Sequence, residues 1–241
     1  MFDGRPDLTL QAITLAELAV EKDGSCEMAW YVLTNSHVWR VFMAWTDDRD
    51  ASVASALRAA EELMRLAPND SRSHFQRGVV ESMSGERSSA AVDLRRAHEL
   101  NPNDATALFF LSFFEASAGN IERAKELATL AVRLSPKDRW VSTAFLARAV
   151  CAFIERDMQA LHDWADLAIR AQATHPIRRV LMIAFAAEVG DKPLLRKHAA
   201  RLQSVAPKFV ASLFSGDYVP LHQAEHMNML LASLRKAGLG L

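Results

Sequence analysis

The sequence predicts an all-α chain, a right-handed α-solenoid of about five helical hairpins closed by a C-terminal capping helix. Three observations predict it. Leu66-Ala67-Pro68-Asn69-Asp70 returns as Leu100-Asn101-Pro102-Asn103-Asp104 and again as Leu134-Ser135-Pro136-Lys137-Asp138, each time 34 residues on. Small residues keep the same step: Gly78 with Ser112, Gly85 with Gly119, Ala90 with Ala124, Ala97 with Ala131. Between the joints, apolar residues recur at helical spacing, two helix patterns to each period.

A period of this length carrying two helices is the signature of the tetratricopeptide repeat, in which every unit is a helical hairpin. The residue types suit that geometry. Small side chains at the Gly78 and Ala90 positions let the two helices of a hairpin, A and B, approach closely. Gly85 and Gly119 can take the positive φ that ends helix A and turns the chain. Pro68, Pro102 and Pro136 stop helix B, since proline cannot continue the hydrogen-bond ladder. The aspartate two residues later is a good N-cap for the next helix. Repeats of this kind act as interaction scaffolds far more often than as catalysts.

Taken in order, residues 1–6 form a polar lead-in and residues 7–22 a helix with Leu8, Ile13, Leu15, Leu18 and Ala19 on its apolar side, broken at Asp23-Gly24. This helix, within 1–24, reads as a helix B without its helix A, so it either caps the solenoid or continues a longer one. Residues 25–45 carry Trp30, Tyr31, Leu33, Val38, Trp39, Phe42 and Trp45 on more than one stripe, as a helix touching neighbours on two sides requires. A polar turn at 46–50 leads to a helix at 51–67, completing the unit 25–68. Regular units occupy 69–102 and 103–136, with helices at 71–83, 88–100, 105–118 and 121–134. The unit 137–175 is stretched: its helix A, 139–154, gains about a turn, and its helix B, 158–171, overruns before the chain resets at Thr174-His175-Pro176. The last hairpin, 176–207, has helices at 177–189 and 193–205. In the cap, 208–241, a short helix at 208–214 precedes a final one at 221–236 that shields the last hairpin.

Composition narrows the function classes. Half of the 241 residues are apolar and 24% are charged, with a formal net charge of −1. That balance lacks the basic face nucleic-acid binding needs. The two cysteines, Cys26 and Cys151, stand far apart in helical patterns and read as small core residues, which points to a reducing, cytoplasmic setting. Residues 1–11 lack the apolar core of a secretory leader, and the apolar stretches near 107–114 and 180–187 are too short to span a bilayer.

The aromatic helix and Ala-rich helix from Trp39 to Asp70, with the Trp-Thr-Asp-Asp turn at 45–48, carry a further resemblance. So do the Leu-Asn-Pro-Asn-Asp and Leu-Ser-Pro-Lys-Asp joints, the stretched fourth unit and the closing Leu234-Arg235-Lys236-Ala237-Gly238-Leu239. Together they resemble the tetratricopeptide module downstream of the catalytic domain in bacterial class III adenylate/guanylate cyclases. The resemblance implies a regulatory or protein-binding module in a signalling protein. It implies no cyclase activity, because the cyclase metal-binding aspartates belong to a domain outside this chain.

Candidate chemistry is sparse. His222-Gln223-Ala224-Glu225-His226 fits H-x-x-E-H, a zinc-hydrolase pattern with both histidines on one helix face. No acidic third ligand follows, and a polar face on a capping helix accounts for the same residues. Neither cysteine has a ligand-like neighbour, so no metal or cofactor is expected. Arg95-Arg96 and Arg178-Arg179 read as solvated pairs on helix surfaces, and His37, His74 and His98 stand alone. The concave face is the stronger candidate. Arg72, Phe75 and Val79 in one repeat, and Thr106, Phe109 and Phe113 in the next, are expected to line it. Phenylalanines there suit an apolar or amphipathic protein segment, or a homodimer mate, better than a terminal carboxylate. The competing account buries these phenylalanines in the core. A second reading is a small-molecule sensor with its ligand near Trp30, Trp39 and Phe75. The third is the zinc hydrolase at His222/His226.

Overall fold

The computed structural model describes residues 6–43, 45–172 and 175–240; residues 1–5 of the expected lead-in at 1–6, and Thr174 of the expected reset, lie outside them. Among the described residues there are thirteen helices and no strand: α1 (Pro6–Lys22), α2 (Glu27–Phe42), α3 (Arg49–Leu66), α4 (Ser71–Ser84), α5 (Arg87–Leu100), α6 (Ala105–Ala118), α7 (Ile121–Leu134), α8 (Val141–Glu155), α9 (Met158–Ala171), α10 (Pro176–Val189), α11 (Lys192–Val205), α12 (Phe209–Ser215) and α13 (Ala224–Lys236). The chain divides into two compact units, Met1–Ala107 and Leu108–Leu241, with the division falling inside α6. No described helix is long and apolar enough to cross a membrane.

The repeat joints behave alike because their chemistry is alike. After each proline the aspartate accepts a hydrogen bond from a backbone N–H two residues on: Arg72 to Asp70 at 2.8 Å, Thr106 to Asp104 at 2.9 Å and Trp140 to Asp138 at 2.8 Å. These bonds satisfy donors that a starting helix leaves without partners. Asp48, Asp157 and Asp191 cap α3, α9 and α11, each accepting from the backbone N–H three residues on.

In the first unit α1 packs on α2, α2 pairs with α3, and α4 pairs with α5 while also meeting α3 and α2. Ile13, Ala16, Ala29, Leu33 and Ala59 close the core between α1, α2 and α3. Gly78 shows why the α4–α5 contact needs a residue without a side chain: a Cβ there would stand 2.9 Å from Leu94 Cγ and 3.2 Å from the Ala90 carbonyl. Ala90 and Ala97 on α5 are fully buried for the same reason. The turn between the helices uses Gly85 at φ +90°, a conformation costly for residues bearing a Cβ. Away from this turn a polar cluster crosses the hairpin. Arg77 clasps Asp93 through Nε and Nη2, and the His74 ring meets the same carboxylate at 2.8 Å and the Pro68 carbonyl at 3.0 Å. His74 is thus a strut between joint and hairpin, not an isolated side chain.

In the second unit α7 meets α8, α8 pairs with α9, α10 pairs with α11 and also packs on α9 and α8, and α13 lies on α10. Ala149, Val150, Leu161, Ala165, Val180, Ile183, Leu230 and Leu234 belong to one continuous core. The stretched repeat differs from expectation in where its extra residues sit. At 15 residues α8 is one longer than α6, and a turn at 138–140 precedes it, so much of the insertion lies in the joint. The helix then ends at Arg156, which takes the left-handed conformation (φ +59°) that Gly119 and Gly190 provide in the neighbouring hairpins.

Two smaller readings change. Helix α2 ends at Phe42 and not at residue 45. Cys26 is half-exposed at the start of α2, whereas Cys151 is buried as expected and its thiol is pushed up to about 11 by burial. Trp164 is half-buried, stacked on Phe145 with the Arg148 guanidinium 4.8 Å from its ring centre, and so straddles core and surface.

Candidate functional site

The second unit carries its own ligand-like element. After α12 the chain runs in extended and bent conformation to α13, which bears Met227, Leu230 and Leu234 on one stripe, all buried, with Glu225, Asn228, Arg235 and Lys236 exposed. This is the apolar face of an amphipathic helix. The helix is tethered at both ends. At its start, the His222 N–H donates to the Ser117 carbonyl at 2.7 Å and Gln223 Nε2 to the Ala118 carbonyl at 3.1 Å, at the end of α6. The His222 ring packs edge-on against Phe114, and His226 sits over Gly119, where a Cβ would stand 3.1 Å from its ring. At its end, Ser233 Oγ donates to Glu188 Oε1 at 2.8 Å and Lys236 Nζ meets Glu188 Oε2 at 2.9 Å, at the end of α10. Those two hydrogen bonds hold the Glu188 carboxyl below the usual range, the Lys236 bond first. The tail therefore reaches past the last hairpin to α6, further than a cap on α10 alone.

An open cleft of about 640 Å³ lies along α13. Phe153, Arg156 and Met158 line one side; Glu225 and Met229 of α13 line the other, with Glu188 beside them.

The structure treats the expected groove residues differently. Phe109 is fully enclosed, Val79 is 3% exposed and Phe75 is 8% exposed, so these three are core residues and not an open binding surface. For Phe75 and Val79 on α4 the cause is the close α4–α5 approach that Gly78 permits. Phe110 is half-buried, its ring 4.9 Å from Trp140. Phe113 is half-buried against the second unit's core. Arg72 stays exposed but is pinned, its Nη2 2.6 Å from Asp70. Thr106 is half-exposed. In the first unit Arg72 has Tyr31 and Glu27 within electrostatic reach, and burial raises the Tyr31 phenol while the neighbouring Gln76 side chain opposes it. Sequence reasoning did not single out Tyr31 of α2 or Gln76, one turn on from Arg72 in α4, because both look like ordinary core positions.

The sensor and zinc readings also meet the geometry. Trp39 is buried, and Trp30 is half-buried with its indole N–H bonded to the Gly24 carbonyl at 2.9 Å. Helix α13 begins at residue 224, so His222 lies outside it and the histidine pair does not share a helix face. Among the described residues no three His, Cys, Asp or Glu side chains converge as a ligand set. The basic pairs divide as well. Arg96 is exposed beside Glu99, but Arg178 and Arg179 are buried, at 3% and 9% exposure.

A scan against protein-family models and a search of curated proteins each returned no match. Solved structures do match. A chain of the APC/C hetero-tetramer Cut9-Hcn1 aligns over 97% of this chain at TM-score 0.70 and 12% identity, and this chain spans 44% of its length. PilW, a type IV pilus biogenesis factor, aligns over 92% of this chain and 90% of its own at TM-score 0.60 and 14% identity. A tetratricopeptide repeat protein from Parabacteroides merdae aligns over 96% and 83% at TM-score 0.52 and 14% identity. The class is thereby defined: an all-helical α-solenoid. That fold is similar to that of the tetratricopeptide repeat protein from Parabacteroides merdae.

Proposed function

We propose that this chain is a non-catalytic protein-interaction scaffold that takes up an amphipathic helical segment of a partner, in the regulatory setting that the cyclase-module resemblance implies. One observation carries the reading: in the second unit an amphipathic helix, α13, already lies across the ends of α6 and α10, held by three leucine or methionine anchors and polar tethers at each end. Helix-in-groove recognition uses the same anchors at i, i+3 and i+7. On the first unit, Arg72, Thr106 and Tyr31 are the groove residues we assign to partner contact; Phe113 is assigned the same role on the second.

The test is a fluorescently labelled peptide of residues 218–240 offered to the full chain and to a Ser233→Ala/Lys236→Ala double variant, which loosens the α13 end without touching its leucines. Binding in trans, tighter to the variant, is the expected result. Equal absence of binding to both would discard the reading.

Self-association is a second reading, favoured by α1. Leu10, Leu15 and Leu18 on this helix are 51%, 68% and 48% exposed. Molar mass measured across a concentration range decides it, and Leu15→Glu should abolish any dimer.

A further inference from the structure

Helix α11 departs from the charge pattern of the second helices in the hairpins before it. On α3, α5, α7 and α9 a cation pairs with a carboxylate of its own helix: Arg65 with Glu62, Arg96 with Glu99, Arg123 with Glu126 and Arg170 with Asp166, at between 2.6 and 3.4 Å. Helix α11 carries Lys192, Arg196, Lys197 and Arg201, all exposed, and no carboxylate. Lys192 and Arg196 stand at i, i+4, as do Lys197 and Arg201, where like charges repel. Lys192, Arg196 and Lys197 fall in the first six residues, at the end where a helix favours anions. Asp191, just ahead of α11, is engaged as its N-cap, and Asp166 of α9, within electrostatic reach of His198, is held by Arg170 at 2.6 Å. Among the described residues no carboxylate comes within ion-pair distance of the four cations. Arg179 of α10 adds positive charge beneath them, its pKa lowered by burial and then by Arg201.

Helix α1 shows the reverse arrangement. Glu17 and Glu21 are exposed, stand at i, i+4, and have no ion-pair partner among the described residues. Both lie in the last six residues of α1, at the end where a helix favours cations, and Lys22 is the one cation on the helix. Leu18, one turn before Glu21, is exposed, as is Leu15. The same asymmetry runs through the two units. Residues 1–107 carry 17 acidic and 11 basic side chains, a net charge of −6; residues 108–241 carry 12 and 17, a net charge of +5. Opposed charge of this kind steers association and fixes which surfaces meet.

We propose that α1 of one copy docks on the exposed face of α11 of a second copy, with Glu17 and Glu21 set against the α11 cations. At 3.6 residues per turn, Lys192 and Arg196 form one edge of that face and Lys197 and Arg201 the other. Pro193, Ala200 and Ser204, all exposed, lie between the edges, and their short side chains leave room for Leu15 and Leu18. Each helix supplies the charge that offsets the repulsion within the other. Two different patches meet, so the contact is heterologous and one copy can engage two neighbours. This contact rests on the self-association reading and gives α1 a partner surface.

Molar mass of the full chain in solution, followed over rising concentration in about 0.02 M and about 0.5 M sodium chloride, tests it. We expect mass to climb with concentration, and association to be at least about tenfold weaker in the higher salt. Lys197→Glu/Arg201→Glu and Glu17→Lys/Glu21→Lys should each yield a monomer. All four positions are exposed, so both variants should melt near the wild-type temperature. Mixed in equal amounts, the two variants should associate again, because each carries the charge the other has lost. A wild-type monomer at every concentration and salt overturns this contact and the self-association reading together. Association that survives Lys197→Glu/Arg201→Glu overturns the contact and leaves self-association standing. Two monomeric variants that stay monomeric when mixed overturn the contact as well.

Discussion

At the scale of single residues, packing in this chain is set by what cannot be enlarged. Ala97 on α5 is fully buried. Ala97→Leu should lower stability by about 1–3 kcal/mol in a denaturant titration, because extra methylenes force side chains off their rotamers. Phe109 poses the opposite test. As an enclosed ring it should cost about 3–5 kcal/mol on replacement by alanine. A groove residue would leave the denaturation midpoint in place. Glu81 gives a pH-dependent prediction. Burial, followed by the nearby Asp93, pushes its carboxyl up to about 7, from an ordinary value of 4.5. The folded chain therefore binds a proton more tightly than the unfolded one between those values, and stability falls as pH rises through that window. Glu81→Gln should remove this contribution. The difference in unfolding free energy between wild type and variant, measured from pH 4.5 to 7, would then slope in favour of the variant as pH rises. The difference isolates Glu81 from His37 and His198, whose pKa values burial lowers to about 4 and which slope the other way.

At the scale of elements, the parts legible in the sequence are those that repeat. Pro68, Pro102 and Pro136 with their aspartates mark the joints, and the small residues mark the hairpin interiors, because each has one local job that one residue type performs. The illegible parts depend on partners distant in sequence. Nothing local to Phe109 says whether a neighbour covers it. Arg178-Arg179 looks like a solvated pair until Ser142 is known to stand beside it. Arg156 hides a left-handed turn because it is not a glycine. Helix α13 combines both cases. Its amphipathic stripe is plain in Met227, Leu230 and Leu234, while its reach to Ser117 is not. Leu230 is fully buried, so Leu230→Ala should cost about 2–5 kcal/mol. Hydrogen exchange should then speed up at the amides of α13 and α10 more than in α4 and α5.

At the scale of the whole molecule, the repeat pattern foretold an α-solenoid, and the solved structures it aligns with carry the same architecture at low identity. Solenoid stability is close to a sum of repeat and nearest-neighbour contributions, so damage should remain near its source. Ala97→Leu is accordingly expected to loosen exchange protection in α4 and α5 and to leave α10 and α11 unchanged. Uniform loss across both units would show a single cooperative block instead. The returning tail has a consequence for synthesis. Chains emerge from the ribosome N-terminus first, and domains fold in that order. Residues 6–107 have every helix of their own unit available once α6 has started to appear. The second unit cannot bury Leu230 and Leu234, or tie His222 to Ser117, until the polypeptide has emerged beyond residue 236. Throughout that interval the apolar surface awaiting α13 is open to whatever nascent-chain factors are at hand, and a pause in translation late in the message would prolong it.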